Sequence, residues 1–223
     1  MTSRALILAH DPEFDPDGCP MRFRLTYEGR LEGNGSPRHK HEIRKALHPQ
    51  LKRLWQVEPN LMRWRDYSKE PPLRNPTEAG ERGRPVPQAL AELYQRNGFS
   101  FVPLVTEQAM LSVGIDILFL RPQLPGGLIK SADIDNRLKT LFDGLRMPTS
   151  ADELGGHTPA EGEEPFFVLL EDDRLISHLS VETDVLLEPT PSAKGRDLPN
   201  DARLVMTISL KPYFVTTGNL HFS

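Results

Sequence analysis

Residues 130–143 read K-S-A-D-I-D-N-R-L-K-T-L-F-D, and a second acidic group, Glu171-Asp172-Asp173, follows further along the chain. Asp133 and Asp135 stand two apart with Asn136 beside them. Lys139 lies one helical turn beyond Asp135, and Asp143 one turn beyond Lys139. Carboxylates grouped in this way suit a hard divalent cation such as Mg²⁺, which is usually held by one or two carboxylates together with waters and substrate phosphates. Asp133 and Asp135 can supply two ligands, and Asp172-Asp173 a third if the fold brings that pair across. Lys139 then sets a positive point charge where charge builds on a scissile phosphate. The same residues also fit a plainer role. An aspartate can cap the helix start, and Asp135, Lys139 and Asp143 can form solvated i,i+4 pairs contributing about 0.2–0.5 kcal/mol each.

Ile134, Leu138, Leu141, Phe142 and Leu145 recur at helical spacing and predict an amphipathic helix over 135–146. Its polar edge carries Asp135, Lys139 and Asp143, and its apolar stripe is expected to dock on a sheet. The strand before it, 110–120, alternates strictly: Leu111, Val113, Ile115, Ile117 and Phe119 share one face, and Ser112, Gly114 and Asp116 the other. The connection 121–132 brings Arg121 and Lys130 close to the motif as candidate phosphate contacts. The apolar run 166–170 predicts a buried strand with Glu171, Asp172 and Asp173 at its end, where loops gather functional groups. A long strand over 175–187, a proline-containing hairpin loop over 188–200 and a return strand over 203–211 follow.

Upstream, 21–31 alternates as a half-buried strand with Phe23, Leu25 and Tyr27 inward. Ser36-Pro37 is a helix start, with Ser as N-cap and Pro at the first helical position. That helix is expected to reach about residue 55 with Ile43, Leu47, Leu51 and Leu54 on its apolar face, and Pro59 prevents its continuation. Residues 62–85 have no period and predict a surface loop to which Trp64 is the anchor. A short helix over 87–97 follows, with Leu90, Leu93 and Tyr94 inward and Gly98 just past its end. The strand 99–105 contains Pro103, which favours a sheet edge.

The net charge of −4 gives no global attraction to nucleic acid, so any attraction is local. Between residues 22 and 65 Arg and Lys outnumber Asp and Glu, and Arg38, Lys40, Arg44 and Lys45 lie together on the expected helix; this is the candidate phosphate-facing surface. His39, His41 and His48 lie among them, with spacing poorly suited to a structural metal. The segment 147–165 carries Asp152, Glu153, Glu161, Glu163 and Glu164 without Lys or Arg, and it is expected to be a solvated loop. A sharper role for it is to screen the site by repulsion. The single cysteine, Cys19, leaves no partner for an intramolecular disulfide and suits a reducing compartment. No apolar run approaches the roughly 20 residues of a membrane helix, and the apolar stretch after Arg4 is too short for a signal-peptide core.

The motif D-I-D-N-x-x-K-x-x-x-D-x-L, followed by a strand and then E-D-D-R-x-I, resembles the signature of the RusA family of Holliday junction resolvases. The positions that match are Asp133, Asp135, Asn136, Lys139, Asp143, Asp172, Asp173 and Ile176. The resemblance covers about 110–210. It implies metal-binding catalytic carboxylates at Asp133, Asp135 and Asp173, a catalytic lysine at Lys139, and supporting roles for Asn136, Asp143 and Asp172. It implies Mg²⁺, with Mn²⁺ as a substitute, branched DNA as substrate and a homodimer whose two-fold symmetry provides two equivalent sites. The setting implied is the cytoplasm of a bacterium, or a phage gene, and DNA recombination and repair. The chain departs from the family in its greater length, in the long acidic gap between the motifs and in its acidic balance. The expectation is a single α+β domain over 1–223, a mixed β-sheet with helices on one face, an enlarged N-terminal helical region and insertions at 56–86 and 147–165. The expected activity is metal-dependent endonucleolytic cutting of four-way junctions by paired nicks. A catalytically silent DNA-binding or phage structural protein of the same fold, and a metal-dependent nucleotide phosphohydrolase, are the alternatives.

Overall fold

A computed structural model describes residues 21–66, 85–122, 133–191, 198–216, 219 and 222. The chain runs β1 (Met21–Arg30), α1 (Pro37–Val57), α2 (Pro59–Asp66), α3 (Val86–Leu93), β2 (Gln95–Arg96), β3 (Phe99–Val105), β4 (Leu111–Arg121), α4 (Asp133–Leu145), β5 (Phe166–Leu170), β6 (Ile176–Val185) and β7 (Asp201–Pro212). Short 3-10 helices lie at Ala151–Leu154, Asp173–Leu175 and Leu198–Asn200. The class is α+β with mixed sheets. None of the described helices is long and apolar enough to cross a membrane.

The strands form two sheets rather than the one expected: β1-β7-β4-β6 and β2-β3-β5. In the larger sheet β4 and β6 are parallel, and β7 is antiparallel to both β1 and β4. The expected hairpin between β6 and β7 is absent, because β4 lies between them. The alternation of β1 and β4 follows the side-chain period of two, with Phe23, Leu25, Leu111, Val113, Ile115, Ile117 and Phe119 all buried. A β-bulge lies where β6 enters the sheet: Val113 pairs with Ile176, but Gly114 pairs with His178. The extra residue, Ser177, puts Ile176 on the face of Leu179 and Val181 rather than that of His178.

In the smaller sheet, β2 and β3 join through Asn97-Gly98, both at positive φ, with Arg96 opposite Phe99. That is a two-residue hairpin turn of the type Asn-Gly favours, and it replaces the expected helix end at Gly98. Leu93 is correspondingly exposed. Pro103 is in the middle strand of this sheet, but β2 pairs only with Phe99 and Ser100, so no strand hydrogen bond is asked of it on that side.

Ser36 caps α1, its Oγ accepting from His39 N at 3.2 Å. Pro59 ends the run of α1 and opens α2, where Glu58 Oε2 accepts from Leu61 N at 2.7 Å. Residues 59–66 are therefore helical rather than loop, while 67–84 of the expected loop and insertion lie outside the described residues. Trp64 stacks on Trp55 at 5.4 Å and anchors α2.

Helix α4 packs chiefly on α1 rather than on a sheet. Gly144 is the point of closest approach: a Cβ there would lie 2.6 Å from Ile43 Cγ2 and 2.9 Å from Ile43 Cβ. Ile43 is fully buried and β-branched, so it has little room to yield. Gly144→Ala is expected to lower stability by about 1–3 kcal/mol through overpacking, although alanine is the better helix former by about 1 kcal/mol. Urea unfolding checks this. A Gly144→Ala/Ile43→Ala pair should cost less than the sum of the single changes, and additivity would show that the clash is not the cause.

Candidate active site

Helix α4 presents Asp135 and Lys139 to solvent, while Leu141 and Leu145 are buried and Ile134, Leu138 and Phe142 pack partly against the core. Asp133 opens the helix, but its side chain lies outside the described residues, as does Lys130. Asn136 is half-buried, and its carbonyl accepts from Thr140 Oγ1 at 3.0 Å.

The second acidic group forms a defined turn. Glu171 continues the β5 ladder, its N–H donating to Val105 O at 2.9 Å, and its Oε2 accepts from Glu107 N at 2.9 Å. Asp172 caps the 3-10 helix Asp173–Leu175 by accepting from Arg174 N at 3.0 Å. Leu175 is buried and holds the turn down, leaving Asp173 exposed. The Arg174 guanidinium reaches Glu107 at 3.2 Å. This turn touches both α4 and β4, so the Asp172-Asp173 pair is carried to the helix that bears Asp135 and Lys139. Among the described residues no hydrogen bond or ion pair joins the two, and no group of three or more carboxylates, histidines or cysteines is placed to hold a metal; Asp133 is outside that comparison.

Asp143 does not share the exposed edge of Asp135 and Lys139. It is buried, with Lys40 Nζ at 2.7 Å from Oδ2 and Arg146 Nη2 at 2.7 Å from Oδ1. Burial alone would raise its pKa, but the Lys40 hydrogen bond and the Arg146 charge outweigh this and hold it below the usual carboxylate value. Arg146 also donates to both oxygens of Glu153, at 2.9 and 3.2 Å. Asp143 is thus a supporting residue of the α1–α4 contact.

The cations expected to face phosphate mostly serve the interior. Arg44 is buried and donates to three main-chain carbonyls: Asp143 O at 2.6 Å, Arg146 O at 2.8 Å and Glu153 O at 3.1 Å. Burial lowers its pKa to about 10, so it stays charged at neutral pH. Lys40 is held by Asp143, and Lys45 by Glu163 at 2.7 Å. Arg121 is buried at the end of β4. Arg38 alone of the described set is exposed on a surface, near Glu42 at 3.5 Å. The three histidines are buried on the inner face of α1 rather than spread over a basic surface.

The segment 147–165 engages two of these cations, Arg44 and Lys45. Most of its residues are exposed, as expected of a solvated loop, but it folds back along α1 and is pinned there. Leu154 is buried, and Gly155 at positive φ lets the backbone lie against Arg38, where a Cβ would be 2.6 Å from Arg38 N. Glu153 meets Arg146, Glu163 meets Lys45, and Lys52 Nζ donates to Gly162 O at 2.9 Å. The acid of this segment and the base of α1 meet at Lys45–Glu163 and, at 3.7 Å, Arg44–Glu153. The two charge runs are plain in the chain; that they face each other is not. Asp116, on the open face of β4, lies 3.3 Å from His178 Nε2.

No protein-family model, curated protein or solved structure matches the chain.

Proposed function

We propose that the chain is a Mg²⁺-dependent, structure-specific DNA endonuclease of the RusA type, acting on four-way junctions. The observation that carries this reading is the placement of the capped Asp172-Asp173 turn against α4 with Asp135 and Lys139 exposed on that helix. None of Asp135, Lys139 and Asp173 has a described side-chain partner, whereas Asp143 and Asp172, close by in sequence, do. Folding alone does not call for such a polar set.

The donor set is all carboxylate oxygen, which fits Mg²⁺ and not a softer metal. Asp133, Asp135 and Asp173 would hold the ion, which when bound supplies Lewis-acid stabilisation and a more acidic water. Lys139 contributes a mobile ammonium to the developing charge on phosphate. The Asp172 cap and buried Leu175 fix the backbone from which Asp173 projects, and the Lys40–Asp143–Arg146 contacts fix the far end of α4.

The test is cleavage of a labelled four-way junction beside the matching linear duplex, in Mg²⁺ or Mn²⁺, by native protein and Asp135→Asn. Paired nicks confined to the junction and lost in the variant are expected. Binding without cutting in either metal would replace this reading with a silent DNA-binding protein. Hydrolysis of nucleotides with no cutting would replace it with a phosphohydrolase.

A further inference from the structure

The four-stranded sheet has one face against the core and one open. Pairing register assigns the open face. Arg22, Ser209, Gly114 and His178 lie in one row, and Arg24, Thr207, Asp116 and Ser180 in the next. Lys211 stands beside Ser112 in the row before them. Arg22, Arg24 and Lys211 are exposed, and among the described residues none has an ion-pair partner. Arg22 Nε donates to Ser209 Oγ at 3.2 Å, which lays the guanidinium over β7. The floor between the cations is built of small side chains: Ser112, Gly114, Thr207 and Ser209.

This basic corner runs into an aromatic one. Directly after β7, Tyr213 is 55% and Phe214 63% exposed. Their turn is held rigidly. Tyr213 N donates to Met110 O at 3.0 Å and Tyr213 Oη to Glu107 O at 3.0 Å. Asn219, buried, donates through Nδ2 to Phe214 O and to Ala109 O, both at 2.9 Å, and accepts from Thr216 N at 2.7 Å. A buried polar residue that anchors a turn displaying two large apolar rings to water is not what a solvated chain end requires.

Both features lie at the end of the sheet that adjoins the candidate active site. Met21, Leu210, Val113 and Ile176 form the row at that end, and Ile176 directly follows the Asp173–Leu175 helix. Glu107, which receives the Tyr213 hydroxyl on its carbonyl, takes Arg174 of that helix on its carboxylate. Of the acidic residues of the open face, Asp116 lies in the row of Arg24 and faces His178 Nε2 at 3.3 Å, while Glu28, paired with Arg203 at 2.8 Å, Glu182 and Asp184 lie towards the opposite end.

We propose that this corner of the open sheet is a nucleic-acid contact surface, with Arg22, Arg24 and Lys211 on phosphates and Phe214, with Tyr213, stacked on an unpaired base. Cations along a groove with an adjacent aromatic platform are the chemistry that holds single-stranded or splayed nucleic acid. The choice of DNA rests on the endonuclease reading above; the surface itself does not depend on cutting.

The experiment is equilibrium binding of a fluorescently labelled oligothymidylate and of a labelled four-way junction across a salt series, without metal. Arg24→Ala/Lys211→Ala should make the slope of log K against log salt shallower by about 0.7 for each cation on the single strand. Phe214→Ala should weaken binding roughly tenfold with the slope unchanged. Arg96→Ala, on the other sheet, should alter neither. Thermal melts establish that these surface variants fold. Wild-type affinity and slope in the Arg24/Lys211 variant would overturn the proposal, as would absence of binding by native protein at low salt. Loss of self-association in sedimentation with unchanged nucleic-acid binding would also overturn it, and would give the face to a second copy of the chain. If cutting fails everywhere while the Arg24 and Phe214 dependences hold, the nuclease reading falls and this surface stands.

Discussion

Replacing Arg44 with alanine is expected to destabilise the protein by about 3–5 kcal/mol, because three carbonyls lose a charged donor and a cavity is left. Three carbonyls depend on that guanidinium. Two of them, Asp143 O and Arg146 O, lie at the C-terminal end of α4, where the last carbonyls have no partner within the helix. Helix α4 has no basic residue in its own last turn, so its C-terminal cap comes from α1. The third, Glu153 O, belongs to the folded-back acidic segment. Arg44→Ala therefore uncaps a helix, releases the segment from α1 and leaves a cavity. Arg44→Met keeps much of the volume and should still cost nearly as much, because the carbonyls stay unpaired. Arg44→Lys retains charge but cannot span three acceptors, and should fall between. Urea unfolding of the three variants measures this. With total stabilities of about 5–15 kcal/mol for typical domains, the alanine variant should show a clearly lowered midpoint. A loss below about 1 kcal/mol would mean that the segment and α4 hold without the cap. A phosphate-contacting role for Arg44 predicts the opposite pattern, weaker DNA binding at unchanged stability.

Arg44 also illustrates what the amino-acid sequence can and cannot disclose. Period-two and period-3.6 patterns located β1, β4, β7, α1 and α4 because each element has its own inward face, and that face is written locally; β5, buried on both faces, is marked by an unbroken apolar run. Neighbour relations are not local. The stretch from Val185 to Asp201 carries turn residues that suit a hairpin, yet β7 inserts between β1 and β4, since parallel β4–β6 pairing takes the other edge of β4. At Asn97-Gly98 the apolar residues before the glycine favour a helix end, and the pair forms a hairpin turn instead. Pro59 reads equally as a stop or as a first helical residue, and it is both.

For the candidate site, Asp135, Lys139 and Asp173 stand out by type and spacing, and the structure leaves each exposed. Asp143 shares their helical edge by angle alone. Its burial depends on Lys40 of α1, distant in sequence, and no local pattern states it. The same limit applies to charge. A basic helix in an acidic chain suggests nucleic acid until Lys40 and Arg44 are seen turned to the interior and Lys45 to Glu163, while Arg22, Arg24 and Lys211 stand exposed on the open sheet face of β1 and β7. Arg22 and Arg24 fall within the basic stretch that opens at residue 22, whereas Lys211 lies outside it, on what reads as the ordinary polar face of a strand.

Acid should weaken the protein in two stages, and the first is set by histidine. His41 is fully buried among Phe99, Phe166 and His157, with ring centroids 5.3, 5.6 and 5.0 Å away, and neither ring nitrogen has a hydrogen-bond partner among the described residues. Burial, reinforced by the nearby charges of Arg44, His157 and Lys45 and only partly opposed by Glu163, lowers its pKa from 6.5 to about 4. A depressed pKa means that folding favours the neutral ring. The stability it contributes is complete above about pH 6.5, where the unfolded chain is also neutral, and is lost progressively as pH falls towards 4. By linkage the loss is on the order of 3 kcal/mol. Burial lowers His39 and His48 as well, in the same direction. Asp143, Glu153 and Glu163 are also held below their ordinary values, so their contribution persists to lower pH and fails only as they protonate. His41→Phe keeps an aromatic ring in an aromatic cluster and removes two unpaired nitrogens. It should flatten the stability profile between pH 6.5 and 4 while leaving the lower carboxylate stage in place. Denaturant midpoints measured across that range decide it: a profile as steep in His41→Phe as in native protein would assign the first stage to His39 and His48 instead.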